Sequence, residues 1–373
     1  MHPHDSYTQQ PLNILVVCCS PFGFITDAVE LVKHVGCRHA VTVISLGRGP
    51  MDGASDTVPH AVRHSVVDRS SHVLCRIWKW LDACARACRE DYDIVYLYYF
   101  PMCSLLRCVN ARRRFILDIR SGAVSGSWMR RGVRNLLISA EARAFGRISV
   151  LCDAMRRYLR LPRERTHICP LGANPIPILT RDMSCLRLLY VGTFLNRRLS
   201  EAIKGFAIYC REEGASTDAH FTLVGDSEDG ERHRLQMLVH ELGLTDRIAL
   251  PGYVPRERLT SYYECCNVGV SYVPMTPYYD CQPPTKTYEY FFAGMPVIAT
   301  ATKQNAVIVS DDNGVLIDDT PDAFCSGLRV LAQRLRLYDS GKILSSVSDH
   351  SWYNIMTNNA LPFIEAVALA HEE

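Results

Sequence analysis

The chain lacks several features that would settle its chemistry at once. It contains no Cys-x-x-Cys pair and no cluster of cysteines and histidines spaced as metal ligands, although its 373 residues include sixteen cysteines. That excludes the common zinc-ribbon and thioredoxin-like readings. Neither sign of charge is in marked excess: 41 basic residues stand against 39 acidic ones, a formal net charge of +2. The balance argues against general nucleic-acid binding. No apolar run reaches the ~20 residues that a bilayer-crossing helix needs, and no signal peptide precedes the first apolar run, near Leu12. No Asp-x-Asp is placed where it would hold a metal, and no short repeat or low-complexity tract stands out. The cysteines are scattered, and the adjacent pairs Cys18–Cys19 and Cys265–Cys266 lie in apolar runs. They read as small hydrophobes in a reducing compartment rather than as a disulfide framework, so the expected location is cytoplasmic.

What is present is alternation. Apolar runs at 13–20, 40–47, 93–100, 115–121 and 147–152 alternate with helical patterns at 24–35, 72–90, 102–110 and 129–145. Strands of this kind imply a parallel sheet covered on both faces. Residues 169–185, with three prolines and a glycine, break the rhythm as a linker. It restarts with strands at 186–192, 221–225, 247–252, 268–274, 296–300 and 314–318. The expectation is two doubly wound α/β domains, 1–170 and 171–350. A C-terminal amphipathic helix, 351–373, would cross back onto the first. Ligands of such folds bind beyond the carboxyl ends of the strands, and two such edges can share a central cleft.

The second half concentrates the candidate chemistry. Gly192 and Gly225 end strands, where glycine permits a tight turn or close approach of the backbone. Arg197 and Arg198 open the following helix, and arginine can grip phosphate with two parallel hydrogen bonds. In "QPPTKTYEYFFAGMPVIAT", Thr285 is placed to cap a short helix that Gly294 and Pro296 close. Lys286 falls in its first turn, where the helix dipole disfavours a cation by a few tenths to about 1 kcal/mol. An anionic ligand would account for it. Glu289, three residues on, shares the face of Lys286 and can also form a surface ion pair with it. Tyr288, Phe291 and Phe292 have core spacing.

This stretch resembles the donor-site signature of retaining GT-B glycosyltransferases of the family-four (group 1) type, a Pro-x-Lys-x-x-Glu-Tyr pattern followed by Ala-x-Gly-x-Pro-Val-Ile-Ala. "LLYVGTFLNRRLSEAIKGF", "FTLVGDSEDGERHRLQML", "RIALPGYVPRERLTSYYECCNVGVSYVP" and "NGVLIDDTPDAFCSGL" resemble the family's other blocks in order and spacing. The resemblance extends over about 146–335. It implies a GT-B fold of two Rossmann-like domains facing a cleft, a nucleotide-sugar donor, and no metal or other cofactor. By position, Glu289 would accept hydrogen bonds from the donor ribose, while Arg198 and Lys286 would meet the diphosphate. Gly192, Thr193, Gly225, Tyr253, Thr285 and Thr287 would complete the donor side. The chain departs from the family at Thr193, where an arginine is frequent, and at Cys281, where the commonest signature carries a glutamate.

The first domain is expected to hold the acceptor. Gly23 and Phe24 lie in the loop after the first strand. Asp118, Arg120 and Ser121 end another strand, Asp118 and Arg120 being the candidates near the reacting sugar. Arg130 and Arg131 belong to a basic stretch suited to an anionic acceptor. A glycan or lipid-linked acceptor at the inner face of a membrane fits this reading, with polysaccharide or glycolipid assembly as the setting. Two alternatives remain open: a GT-B sugar-nucleotide epimerase, and a non-catalytic glycosyltransferase-like partner subunit.

Overall fold

The unbroken apolar runs become parallel strands buried on both faces. A computed structural model describes residues 10–47, 62–67, 73–124, 127–177, 181–214 and 218–370. The chain divides into two compact units: one built from the chain up to Pro170 together with the segment from Trp352, the other from Leu171–Ser351.

The first unit carries β1 (Asn13–Cys18), β2 (Ala40–Leu46), β3 (Val62–Val67), β4 (Ile94–Tyr98), β5 (Phe115–Ile119), β6 (Arg147–Val150) and β7 (Thr166–Ile168). They form one parallel sheet in the order β3-β2-β1-β4-β5-β6-β7. Every residue of β4 and β5 is buried, as strands covered on both faces require. The expected helix over 351–370 is not uniform. Trp352–Ile355 is α-helical, Met356–Ala360 widens into a π turn, and Leu361–Leu369 resumes the α-helix. The wide turn leads toward Pro362, which has no N–H to give the preceding turn. The segment is tied to its unit by His39 Nε2 and Glu365 Oε1 at 3.1 Å and by the His167 ring stacked 4.1 Å from Phe363.

The second unit carries β8 (Arg187–Val191), β9 (His220–Val224), β10 (Ile248–Gly252), β11 (Val268–Ser271), β12 (Val297–Thr300) and β13 (Gly314–Ile317), parallel and ordered β10-β9-β8-β11-β12-β13. The chain winds outward from β8 on one side and from β11 on the other. The gap at their carboxyl ends is therefore the topological switch point, where an open α/β sheet leaves room for a ligand. Phe206, Phe221 and Phe324 fill the core beneath, each fully buried.

Candidate functional site

A pocket of about 240 Å³ lies at this switch point. Its floor is the end of β8 with the residues after it, Tyr190 to Thr193, and the end of β11 continuing through Val273. Pro283, Pro284, Thr285 and Lys286 form one wall, and Arg197 and Tyr279 contribute to another. Gly225, at the end of β9, supports the floor from behind: a Cβ there would stand 1.8 Å from the Gly192 carbonyl oxygen. That is far inside van der Waals contact, so glycine is what lets the two strand ends close. Tyr190 donates its hydroxyl to the Thr193 carbonyl at 2.7 Å, and burial pushes its phenol up to about 12.

The helix Thr285–Phe292 presents its N-terminus to this pocket. Thr285 is its first residue rather than its cap; Pro284 holds the cap position with extended backbone and offers no side-chain bond. The helix ends as expected, with Gly294 in the left-handed region at φ 67°. Its sequence fixes its place. Tyr288, Phe291 and Phe292 are buried. So is Tyr290, whose hydroxyl accepts from the Val191 N–H at 3.0 Å. Its ring lies over Gly269 of β11, where a Cβ would come within 2.2 Å of it. Thr287, expected on the donor side, is fully buried, its hydroxyl 2.7 Å from Ser271 Oγ and 3.0 Å from Asn305 Oδ1. It anchors the helix and does not line the pocket.

The cations are arranged differently from the sequence expectation. Arg197 lines the pocket, its guanidinium 4.9 Å above the centre of the Tyr279 ring. Arg198 does not. It adopts the left-handed region at φ 53°, and its exposed side chain pairs with Asp319 at 3.2 Å. The adjacent pair of arginines was the signal in the sequence, and the backbone turn decides which of the two enters. Lys286 lines the pocket and is bonded to Glu289 Oε2, which also accepts from the buried Tyr263 hydroxyl at 3.1 Å. Burial, then the nearby Glu289 charge, hold the Tyr263 phenol well above its ordinary range. Both donors converge on one carboxylate oxygen, so Glu289 keeps acceptor capacity on Oε1. Cys281 is buried with its thiol 3.2 Å from the Tyr278 carbonyl, while its neighbours Tyr278 and Gln282 face the pocket. Tyr253 is exposed beyond β10 and is not part of the lining.

In the first unit, Asp118 at the end of β5 is fully buried. Arg120 Nε lies 2.5 Å from Asp118 and 3.0 Å from Asp27, and its Nη1 donates to the Cys169 carbonyl at 3.2 Å. Burial raises the Asp118 carboxyl, against the opposing effect of Arg120. Within the unit the two side chains hold each other, and Arg120 also reaches Asp27. Gly23 turns the loop after β1 at φ 101° and leaves Phe24 exposed. Ser121 and Arg131 are half-buried and Arg130 is exposed. Among the described residues no cluster of three or more His, Cys, Asp or Glu could hold a metal, and no helix is long and apolar enough to cross a membrane.

Residues 185–334 match the family model described as "Glycosyl transferases group 1". No curated protein sequence matches the chain. Solved structures match nearly all of it. The Anabaena protein HepE in complex with UDP and glucose is 13% identical, with a TM-score of 0.74, covering 96% of this chain and 100% of its own. A glycosyltransferase from Rickettsia africae is 12% identical at a TM-score of 0.73, covering 97% and 100%. The sucrose-phosphate synthase of Thermosynechococcus elongatus is 17% identical at 0.72, covering 96% and 100%. The fold is accordingly that of the GT-B glycosyltransferases, two Rossmann-like units each built on a parallel sheet.

Proposed function

We propose that this protein transfers a sugar, with retention, from a nucleoside-diphosphate donor to a hydroxyl acceptor. The observation that carries the reading is the switch-point pocket of the second unit. It brings Arg197, Lys286 and the N-terminus of a helix to one place, within the stretch that matches a glycosyltransferase family model. A departing diphosphate carries about two negative charges, and fixed cations and aligned amides stabilise it as it leaves. Thr193 and Thr285 offer hydroxyls beside it. Glu289, through Oε1, accepts from the ribose. Retention follows if the acceptor hydroxyl attacks from the face the diphosphate leaves, giving its proton to a phosphate oxygen. The cations supply the charge that a metal would otherwise bring, so turnover proceeds without one.

The acceptor side is assigned to the first unit, at Gly23, Phe24, Ser121, Arg130 and Arg131, for a glycan or lipid-linked acceptor in polysaccharide or glycolipid assembly. The protein then works in the cytoplasm, at the inner face of a membrane. The test is a panel of uridine, guanosine, adenosine and thymidine diphosphates and their sugars, uridine first because HepE holds UDP. At a ligand concentration of 100 times Kd, binding adds about 2.7 kcal/mol of apparent stability. No rise in Tm with any of the four nucleotides overturns the reading. Sugar release or transfer that survives EDTA supports it; interconversion of sugar nucleotides points to an epimerase, and binding without turnover to a partner subunit. Loss of turnover in EDTA, restored by a divalent ion, overturns the metal-free mechanism.

A further inference from the structure

The helix Trp128–Ala142 is apolar on the wrong side as well as the right one. Its core face is Ile138, Ser139 and Ala142, all buried. At about 100° per residue, Met129, Val133, Leu136 and Leu137 fall on the opposite side, and they are 54% to 64% exposed. Four large apolar side chains in one stripe, facing away from the sheet, are not the isolated surface hydrophobes of an ordinary helix. Arg130 and Arg134 border the stripe on one edge and Arg143 on the other, all exposed. Trp128, at the first turn, is 75% exposed.

The surroundings carry the same character. The crossovers β4-to-β5 and β5-to-β6 run the same way along the sheet, so right-handed connections place the helices Ser104–Val109 and Trp128–Ala142 on one face of it. Glu141 joins them by accepting from the backbone N–H groups of Met102 and Ser104 at 3.0 and 3.2 Å. Leu105 and Val109 of the shorter helix are exposed as well. Residues 101–147 contain ten arginines and two acidic residues, in a chain whose net charge is only +2. The two acids, Asp118 and Glu141, are engaged internally. Two of the ten arginines have carboxylate partners, Arg120 with Asp118 and Asp27 and Arg113 with Asp91 at 3.5 Å, whereas Arg130, Arg134 and Arg143 beside the stripe form no ion pair among the described residues.

We propose that the outward face of the Trp128–Ala142 helix is a docking surface for an anionic lipid bilayer. The apolar stripe enters the acyl boundary, the bordering arginines meet lipid phosphates, and Trp128 sits at headgroup level. An apolar face rimmed by one sign of charge fits a surface that is apolar inside and anionic at its rim. This inference rests on exposure and charge alone and does not depend on the sugar-transfer reading.

The test is sedimentation of the full chain with vesicles of phosphatidylcholine alone and of phosphatidylcholine with phosphatidylglycerol. Binding is expected at least ten-fold tighter to the anionic vesicles. Arg130→Glu with Arg134→Glu should lose that preference. Leu136→Ser with Leu137→Ser should weaken binding at least ten-fold even at low salt, and should abolish the fluorescence blue shift on vesicle addition that Trp128→Phe also removes. Both double variants change exposed positions, so an unchanged Tm is the control that they fold. Failure to bind anionic vesicles overturns the proposal, as does binding that neither variant changes. A concentration-dependent dimer that Leu136→Ser with Leu137→Ser dissolves assigns the stripe to a second copy and overturns it too.

Discussion

Lys286 stands where a helix disfavours a cation, and Glu289 answers part of the difficulty by bonding it within the same helix. The pair is only partly exposed, and a surface ion pair would not need the buried Tyr263 hydroxyl to hold the same carboxylate oxygen. Glu289→Gln should therefore weaken nucleotide binding more than it lowers Tm. The lost charge-assisted acceptance is about 1.5–3 kcal/mol, roughly 10- to 150-fold in Kd. Calorimetric titration with the matching nucleoside diphosphate reads it, and an unchanged Kd would return the pair to a purely structural role. Arg197 and Arg198 make a sharper contrast. Arg197→Ala should reduce affinity for the diphosphate more than for the nucleoside, and Arg198→Ala should change the two far less. The sequence pointed to the arginine pair and to Lys286, Thr193 and Thr285, and the pocket brings Arg197 of that pair together with the other three. It could not tell Arg197 from Arg198, because the left-handed backbone at Arg198 comes from how the loop meets the helix. Nor could it show that Thr287, two residues and about 200° of helix beyond Thr285, points into the interior.

At the scale of the element, the helix Thr285–Phe292 is the part on which the site depends. Thr287→Val keeps the shape and removes the hydroxyl that meets Ser271 and Asn305. Leaving those buried groups short of a partner should cost about 1–3 kcal/mol, measured as a lower urea midpoint with an unchanged m-value. Gly269→Ala should cost at least as much, because the new methyl group meets the Tyr290 ring rather than a flexible chain end. The helix and its core residues were legible because Tyr288, Phe291 and Phe292 recur at helical spacing. Tyr290 was not, because its burial depends on Gly269 across the sheet. The strands of both sheets' interiors were legible as apolar runs. The two strands that escaped sequence reading, β3 and β7, are the two edges of the seven-stranded sheet. β3 is interrupted by Arg63, His64 and Ser65, and β7 is only Thr166–Ile168. Edge strands are short or polar for a physical reason: they need no second covering neighbour and must resist pairing with other chains.

For the whole molecule, the sixteen cysteines make alkaline pH informative. Burial pushes Cys266 up to about 11 and Cys88 up to about 12, from an ordinary value near 9. Between those values the unfolded chain loses thiol protons that the folded chain keeps. The stability these thiols contribute is therefore fully present below pH 9 and should be lost as pH rises from 9 through 11 to 12. The urea midpoint at pH 8 and at pH 10 reads the difference; a midpoint that holds or rises would contradict it. At neutral pH the exposed Cys37, Cys75, Cys108 and Cys265 should alkylate first and the buried thiols only on unfolding. The division of the chain bears on how the protein is made. The second unit is one continuous stretch whose ends meet, Ala173 pairing with Ser351 and its N–H reaching the His350 carbonyl at 3.1 Å. The first unit is interrupted by it and is completed only by Trp352 and the residues that follow. During synthesis the second unit can close as soon as its own residues have left the ribosome. The first, although begun earlier, waits with the face that receives the last helix uncovered, so a ribosome stalled before Trp352 should hold a folded second unit behind a first one open to protease.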